Sequence, residues 1–176
     1  MRDAIAEAER GMDAGEVPVG CVFVADGRVV ARGHNRTNVS LNACRHTELE
    51  AIDSLIDAHG REATLEMMRG VTVFVTIEPC IMCASALGLM HIAGVVFGAA
   101  NDKFGGNGSV YSLHLAGNGS PDMHPYPVRG GLLPDEAIEM LRNLYNRANP
   151  RTRHLLKEDN GDVASPSGNS VSETTA

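Results

Sequence analysis

The chain has 176 residues, enough for one domain with a full hydrophobic core and too few for two comfortable domains. Its formal net charge of −7 argues against a general nucleic-acid binder acting through its average field, although a local basic patch could still bind phosphate. Only four cysteines occur, which excludes a disulfide scaffold and predicts a reducing compartment, cytoplasmic and/or nuclear. We find no signal peptide pattern and no run of roughly 18 apolar residues that would span a membrane.

The first half of the chain alternates helical and strand patterns. An apolar stripe predicts a helix over residues 2–14, and a β-branched run predicts a strand over residues 17–25. Asp26-Gly27 is a hairpin signal, after which the chain returns as a second strand. Residues 35–45 are polar and turn-like, and a helix is predicted from His46 to about His59.

The second half adds two apolar strands around a further helix. Strands are predicted over residues 71–77 and 94–99, with a helix over 80–90 between them and another over 134–148. This alternation predicts an α/β fold in which helices flank a mixed sheet whose two central strands are parallel. Residues 105–133 are rich in glycine and proline and are predicted to be a long functional loop. We predict a domain over residues 1–150 and a basic-rooted, mostly disordered tail over residues 151–176.

The sequence TIEPCIMCASALG places two cysteines at the predicted start of a helix. Cys80 and Cys83 are spaced i, i+3, so the first helical turn puts both sulfurs on one face, and Pro79 suits a helix start. The positive end of a helix favours thiolates. The spacing alone fits a redox pair, a structural zinc site or half of a catalytic metal site.

A second short motif, His46-Thr47-Glu48, opens the other long helix and favours the catalytic interpretation. No second C-x-x-C is present, so a structural site would lack its fourth ligand, whereas His46, Cys80 and Cys83 together leave one zinc position open for water. Two thiolates neutralise Zn²⁺, so a carboxylate that accepts the water's proton would compensate for weak acidification, and Glu48 is the candidate. His-x-Glu with Pro-Cys-x-x-Cys is the signature of zinc-dependent nucleobase deaminases. We therefore expect one Zn²⁺ per chain.

The chain resembles the cytidine deaminase superfamily and, within it, the tRNA adenosine deaminases that make inosine at the anticodon wobble position. The matching segments include GEVPVGC, RHTELEAI, VTIEPCIMCASAL and VVFGAANDKFGGNGSV, within residues 1 to about 150. The resemblance implies a cytidine-deaminase-like three-layer fold with a five-stranded mixed sheet, zinc ligands at His46, Cys80 and Cys83, and Glu48 as proton shuttle. Two residues depart from the usual pattern, since Thr47 stands where the family has Ala and Cys44 lies beside the site as a potential stray ligand.

Candidate substrate contacts lie in two other segments. Asn35 matches a family position that touches the substrate nucleoside, so the resemblance implies the same role here. Asn101 and Phe104 lie in the NDKFGGNG segment, where Phe104 would either stack on a base or anchor the loop by packing. A run of cations without an intervening acid predicts contacts to the RNA backbone. These residues are Arg147, Arg151, Arg153 and Lys157.

The predicted activity is zinc-dependent hydrolytic deamination of adenosine to inosine in tRNA, with the anticodon stem-loop as substrate and the wobble position as target. The alternatives are a deaminase of free cytidine, deoxycytidylate or guanine, a noncatalytic RNA-binding subunit of the same fold, and a thiol-disulfide protein. Glu48 argues against the noncatalytic subunit. Because the chain is acidic and poor in aromatics, we expect a second deaminase-fold subunit lacking the shuttle glutamate, with a homodimer as the alternative.

Overall fold

The computed structural model describes residues 1–116 and 120–146. Its helices and strands in chain order are α1 (Arg2–Asp13), β1 (Gly20–Ala25), β2 (Arg28–His34), α2 (Thr37–Ser40), α3 (Thr47–His59), α4 (Arg61–Met68), β3 (Thr72–Ile77), α5 (Ile81–Leu89), β4 (Gly94–Ala99), α6 (Leu113–Ala116), β5 (Val128–Arg129) and α7 (Pro134–Asn146).

The five strands form one mixed sheet in the order β2-β1-β3-β4-β5. Strand β1 pairs antiparallel with β2 and with β3, whereas β3 and β4 run parallel, as do β4 and β5. The predicted hairpin is present, because Asp26 and Gly27 both have positive φ values, 49° and 73°, as a tight two-residue turn requires. The predicted five-stranded mixed α/β fold is therefore confirmed.

Helices cover both faces of the sheet, and two glycines allow their close approach. A Cβ at Gly20 would lie 2.2 Å from the backbone nitrogen of Ala8 in α1. A Cβ at Gly33 would lie 2.3 Å from the backbone oxygen of Thr47 at the start of α3. Gly33 pairs with Cys21, so these two residues share one face of the sheet. Gly20 precedes Cys21 in the same strand and therefore lies on the opposite face, so the two helices pack on opposite faces. The contact at Gly33 brings the first turn of α3, which carries Glu48, directly onto the sheet.

Four elements are absent from the sequence-based prediction. Helix α4 follows Gly60, α2 is a single turn within the predicted polar segment, and both α6 and β5 lie within the stretch predicted to be a loop. Strand β5 has two residues, Val128 and Arg129, paired with Val95 and Val96. Two residues are too few for a pattern of alternation, so only the long-range pairing reveals this strand.

The compact body of the chain comprises Met1–Leu144. The predicted domain end at residue 150 and the predicted tail lie outside the described residues and stay predictions. Within residues 1–116 and 120–146, no helix has both the length and the apolar character that crossing a membrane requires.

Candidate metal centre

His46 is held at the start of α3 with its side chain free of any capping role. It is the N-cap residue of that helix, with φ −79° and ψ 158°, and its backbone oxygen accepts from the amide of Glu50 at 3.0 Å. Because its imidazole does not cap the helix, the Nδ1 atom is available as a ligand.

Cys80 and Cys83 occupy the start of α5, as the sequence predicts. Cys80 is the N-cap residue, and its backbone oxygen accepts from the amide of Ala84 at 2.8 Å. The Cys80 side chain makes no capping hydrogen bond, and Cys83 lies in the first turn. The two cysteines therefore face the same space.

The three predicted ligands meet with spacings that fit a tetrahedral zinc ion. His46 Nδ1 lies 3.5 Å from Cys80 Sγ and 3.6 Å from Cys83 Sγ, and all three ligand atoms lie within 4.8 Å of one another. Zn–S bonds of about 2.3 Å and Zn–N bonds of about 2.0 Å at tetrahedral angles would separate sulfur and nitrogen by about 3.5 Å. This is the one cluster of three potential metal ligands found within the described part of the chain, and it does not include Cys44.

The pKa values of the two thiols are shifted in opposite directions. A hydrogen bond with Cys83 lowers the pKa of Cys80 to about 4, assisted by His46 and opposed by burial. The neighbouring Cys80 and burial raise the pKa of Cys83. The hydrogen bond with Cys80 raises the pKa of His46. A bound divalent cation removes this competition, since it holds both sulfurs as thiolates and takes a neutral imidazole.

Glu48 lies within the same buried space. Its residue is 3% exposed, and burial raises the pKa of its carboxyl, opposed by a hydrogen bond with Cys83. A raised pKa makes this carboxyl a stronger proton acceptor than an exposed one, as proton transfer requires. Its position and environment fit the proton-transfer role predicted from the sequence.

Asn35 is tied to the same helix start. Its Oδ1 atom accepts from the backbone amide of Thr47 at 3.0 Å, and the residue is buried. Thr47 is fully buried, and its hydroxyl has no hydrogen-bond partner among the described residues. Since Asn35 uses its carbonyl oxygen internally, its amide nitrogen is the group that remains to face a substrate.

Asn101 and Phe104 belong to a tight loop beside the cysteines. Asn101 Oδ1 accepts from the amide of Phe104 at 3.1 Å, so the asparagine side chain shapes the loop. The backbone oxygen of Phe104 accepts from the amide of Ile81 at 2.9 Å, which anchors the loop to the start of α5. The Phe104 residue is 62% exposed, so it is not the packing anchor that the sequence left as an alternative.

Two buried carboxylates near the site were missed in the sequence. Glu16 accepts from the amides of Asn38 and Val39 and from the Thr37 hydroxyl, and so orders the segment that precedes His46. Glu78 accepts hydrogen bonds from the loop that carries Phe104. The available signal was an acid directly beside an apolar strand, in GEVPVG and in TIEPC. The predicted backbone contacts Arg147, Arg151, Arg153 and Lys157 lie outside the described residues.

The sequence of residues 1–99 matches the family described as "Cytidine and deoxycytidylate deaminase zinc-binding region". The tRNA-specific adenosine deaminase 2 of Xenopus tropicalis is 40% identical over 85% of this chain and 89% of its own length. This chain belongs to the zinc-binding deaminase family that includes the tRNA-specific adenosine deaminases. The resemblance read from the sequence motifs is thereby confirmed, and Zn²⁺ is the cofactor that the family and the ligand spacing indicate.

Other relatives of the deaminase extend from bacteria to fungi. A tRNA-specific adenosine deaminase of Streptococcus pyogenes is 37% identical over 90% of both chains. The tRNA-specific adenosine deaminase subunit tad2 of Schizosaccharomyces pombe is 42% identical over 85% of this chain and 37% of its own length. A solved structure from a study of tRNA:A34 deaminases at the wobble position is 35% identical, with a TM-score of 0.68 over 80% of this chain and 97% of that one.

We expect Cys83→Ala to remove zinc from the deaminase, because two of three ligands cannot retain a tetrahedral ion at the affinity of the full set. Metal analysis of the purified variant should fall from one zinc per chain to near zero. Ser85→Ala, which changes a half-buried residue on the same helix whose hydroxyl donates to the backbone oxygen of Ile81, is the control and should keep its zinc. Full zinc retention in Cys83→Ala would remove Cys83 from the ligand set.

We expect Glu48→Gln to keep its zinc and its fold but to lose at least about 100-fold in kcat, since the amide cannot take up a proton. The matched control is Glu62→Gln, an exposed carboxyl on α4, which should behave as wild type. Steady-state kinetics, metal analysis and circular dichroism together check the prediction. A kcat within about tenfold of wild type would assign proton transfer to another group.

Proposed function

We propose that this deaminase converts adenosine to inosine in tRNA, with the wobble position of the anticodon as its target. The observation that carries the chemistry is the convergence of His46, Cys80 and Cys83 at zinc-ligand spacing beside the buried Glu48. The observation that supports the substrate is the match, over most of the chain, to relatives named tRNA-specific adenosine deaminases.

The residues divide the reaction between them. His46, Cys80 and Cys83 hold the Zn²⁺, which when bound supplies Lewis acidity toward a water molecule. Glu48 takes a proton from that water, delivers it to N1 of the adenine, and assists the departure of ammonia from C6. The net reaction consumes one water and releases one ammonia. Asn35 orients the nucleoside through its amide nitrogen.

The target base must leave its stack in the anticodon loop to reach this site. The exposed Phe104 belongs to a loop that is hydrogen-bonded to Ile81, the residue after Cys80. From this loop its ring can stack on a base adjacent to the flipped one. Asn101 supports this ring by accepting from the Phe104 amide. This arrangement favours a polynucleotide over a free base, because a free base offers no neighbour for the ring to stack on.

A second deaminase-fold subunit completes the enzyme in our proposal, and a homodimer is the alternative. Apolar side chains are exposed along α5, α6 and the adjoining loop, beside the metal centre. They are Ile81, Leu89, Val110, Tyr111 and Leu115. A single compact acidic domain exposes little surface for gripping a tRNA, so a partner covering these side chains would also supply RNA contacts. The Schizosaccharomyces pombe relative is named as a subunit, which supports a hetero-oligomer.

The decisive assay offers the zinc-loaded chain an anticodon stem-loop with adenosine at the wobble position. Free adenosine, free cytidine and a stem-loop with guanosine at that position are the controls. The chain is assayed alone, at a measured solution mass, and with a candidate second subunit. We expect inosine in the adenosine stem-loop and no turnover of the free nucleosides. Faster turnover of free cytidine than of the stem-loop would overturn the proposal, and an active homodimer would overturn the heterodimer alone.

The basic run after α7 is the proposed contact to the RNA backbone. Truncation after Asn149 removes Arg151, Arg153 and Lys157 while leaving Arg147. We expect weaker binding and a slope of log affinity against log salt that flattens by about 2, because each lost phosphate contact removes about 0.7 to 0.9 from the slope. The matched control deletes only the last ten residues, so that all of these cations stay in place. An unchanged salt slope after truncation would show that these cations are solvated surface charges that do not contact the RNA backbone.

A further inference from the structure

Glu78 is a buried carboxylate for which the catalytic chemistry has no use. It follows β3 and precedes Pro79, and its residue is 2% exposed. Its Oε1 atom accepts from the amides of Asn107 at 2.9 Å and Ser109 at 3.1 Å. Its Oε2 atom accepts from the amide of Asn101 at 3.0 Å and from the Ser109 hydroxyl. Four donors from one loop thus surround one carboxylate.

No cation forms an ion pair with Glu78 among the described residues. The comparison with Glu7 is direct, since that residue is equally buried but pairs with Arg10 and Arg32. A buried charge without a counter-charge depends on hydrogen bonds to remain favourable. The segment Asn101–Ser109, which we call the amide loop, supplies all of those that Glu78 receives. Its conformation and the charge of Glu78 are therefore mutually dependent.

The amide loop is joined to the segment that carries the cysteines. The amide of Ile81 donates to the oxygen of Phe104, and the amide of Gly106 donates to the oxygen of Pro79, both at 2.9 Å. Gly105 forms a bridge with Cys80. The loop therefore lies directly beside the metal centre, and it carries the exposed Phe104.

Packing around the carboxylate is equally tight. A Cβ at Gly105 would lie 2.6 Å from the Glu78 carboxylate carbon and from both of its oxygens. Only glycine lets the loop close around the acid at this distance, so an alanine there must displace either the loop or the carboxylate. Substitution at Gly105 thus perturbs the same contact from the opposite side.

We infer that Glu78 is a positioning residue that shapes the amide loop into one wall of the substrate site and thereby sets where Phe104 meets the RNA. This inference rests on the proposed function for its substrate, but the loop contacts themselves do not. Glu78 touches neither the metal ligands' donor atoms nor the reacting base in this role. Its effect should therefore appear in RNA binding more than in the chemical step.

The substitution Glu78→Gln tests the inference because it conserves shape and removes charge. A glutamine oxygen at the Oε1 position can still accept from Asn107 and Ser109. Its NH₂ group at the Oε2 position faces the Asn101 amide, donor against donor, while the Ser109 hydroxyl can rotate to accept. The start of the amide loop, three residues before Phe104, is thus the part that loses its anchor.

In steady-state assays on the anticodon stem-loop, we expect Glu78→Gln to raise KM about tenfold, as the loss of a hydrogen bond to a charged group typically does, and to change kcat less than about threefold. Zinc should stay at one per chain. Phe104→Ala should raise KM similarly, and the double variant should exceed the larger single effect by less than about twofold, because both act on one wall. If the increases in KM of the two single variants multiply in the double variant, the inference is wrong. It is also wrong if Glu78→Gln loses zinc and kcat while its KM stays constant.

A second pair of variants keeps the test decisive if Glu78→Gln does not fold. Ser109→Ala removes one hydroxyl donor and leaves the Glu78 carboxylate in place. Gly105→Ala adds a methyl group that would collide with this carboxylate and push it or the loop aside. Both should raise KM without loss of zinc, by about twofold or more. Glu7→Gln, at the equally buried carboxyl on α1, is the matched control and should lower stability without changing KM. If Ser109→Ala and Gly105→Ala both leave KM at the wild-type value, the loop is not positioned by Glu78.

Hydrogen exchange of the zinc-loaded chain separates this inference from the proposed function, since it needs no substrate. Exchange at the amide of Asn101, which loses its acceptor, should accelerate about tenfold or more in Glu78→Gln, whereas the amides of Asn107 and Ser109 keep an acceptor and should change less, and peptides from α1 and β1 should exchange as in wild type. Unchanged exchange at the Asn101 amide refutes the positioning role. Absence of wild-type activity on the stem-loop would instead refute the proposed function, with the exchange result still standing.

Discussion

The structure depends on the meeting of two helix starts, α3 and α5, at one point. The residues at the two N-cap positions, His46 and Cys80, do not cap their helices and instead turn their side chains toward each other. Forgoing a side-chain cap costs about 1 kcal/mol at each helix. In return, two positive helix ends face a space that holds two thiols and the Glu48 carboxyl, and this field favours their anionic forms. A divalent cation would balance the charge of the two thiolates, which leaves the Glu48 carboxylate as the one uncompensated charge.

The four buried carboxylates of the described residues have three kinds of surroundings. Glu7 is paired with arginines, Glu16 and Glu78 are surrounded by amide and hydroxyl donors, and Glu48 lies next to the metal ligands with a raised pKa. The first three carboxylates are satisfied by partners that keep them in place. Glu48 alone lies beside the metal ligands, which fits the proton-transfer role that we propose for it and sets it apart from the other carboxylates at the same depth.

The sheet brings distant parts of the chain to the metal centre by close packing. His46 and Cys80 are 34 residues apart in sequence, and both are carried by helices that pack on the same small sheet. At Gly33 the backbone of α3 touches β2 with no side chain between them. Metal binding links two helices that only the folded chain brings together. Zinc should therefore stabilise the folded state against unfolding.

Local sequence determined the elements and the chemistry of the metal centre. The spacing of Cys80 and Cys83 and the His46-Thr47-Glu48 motif predicted the ligand set, because ligand type and helical spacing are properties of short segments. The sequence did not reveal β5, α4, or the roles of Glu16 and Glu78. A two-residue strand exists only through pairing with a distant partner, and a glutamate beside an apolar strand looks like a solvated charge until a loop closes around it. Tertiary structure decided the roles of Glu16 and Glu78, since their hydrogen-bond partners lie from 21 to 31 residues away along the chain. It also decided β5, which exists only through its pairing with β4.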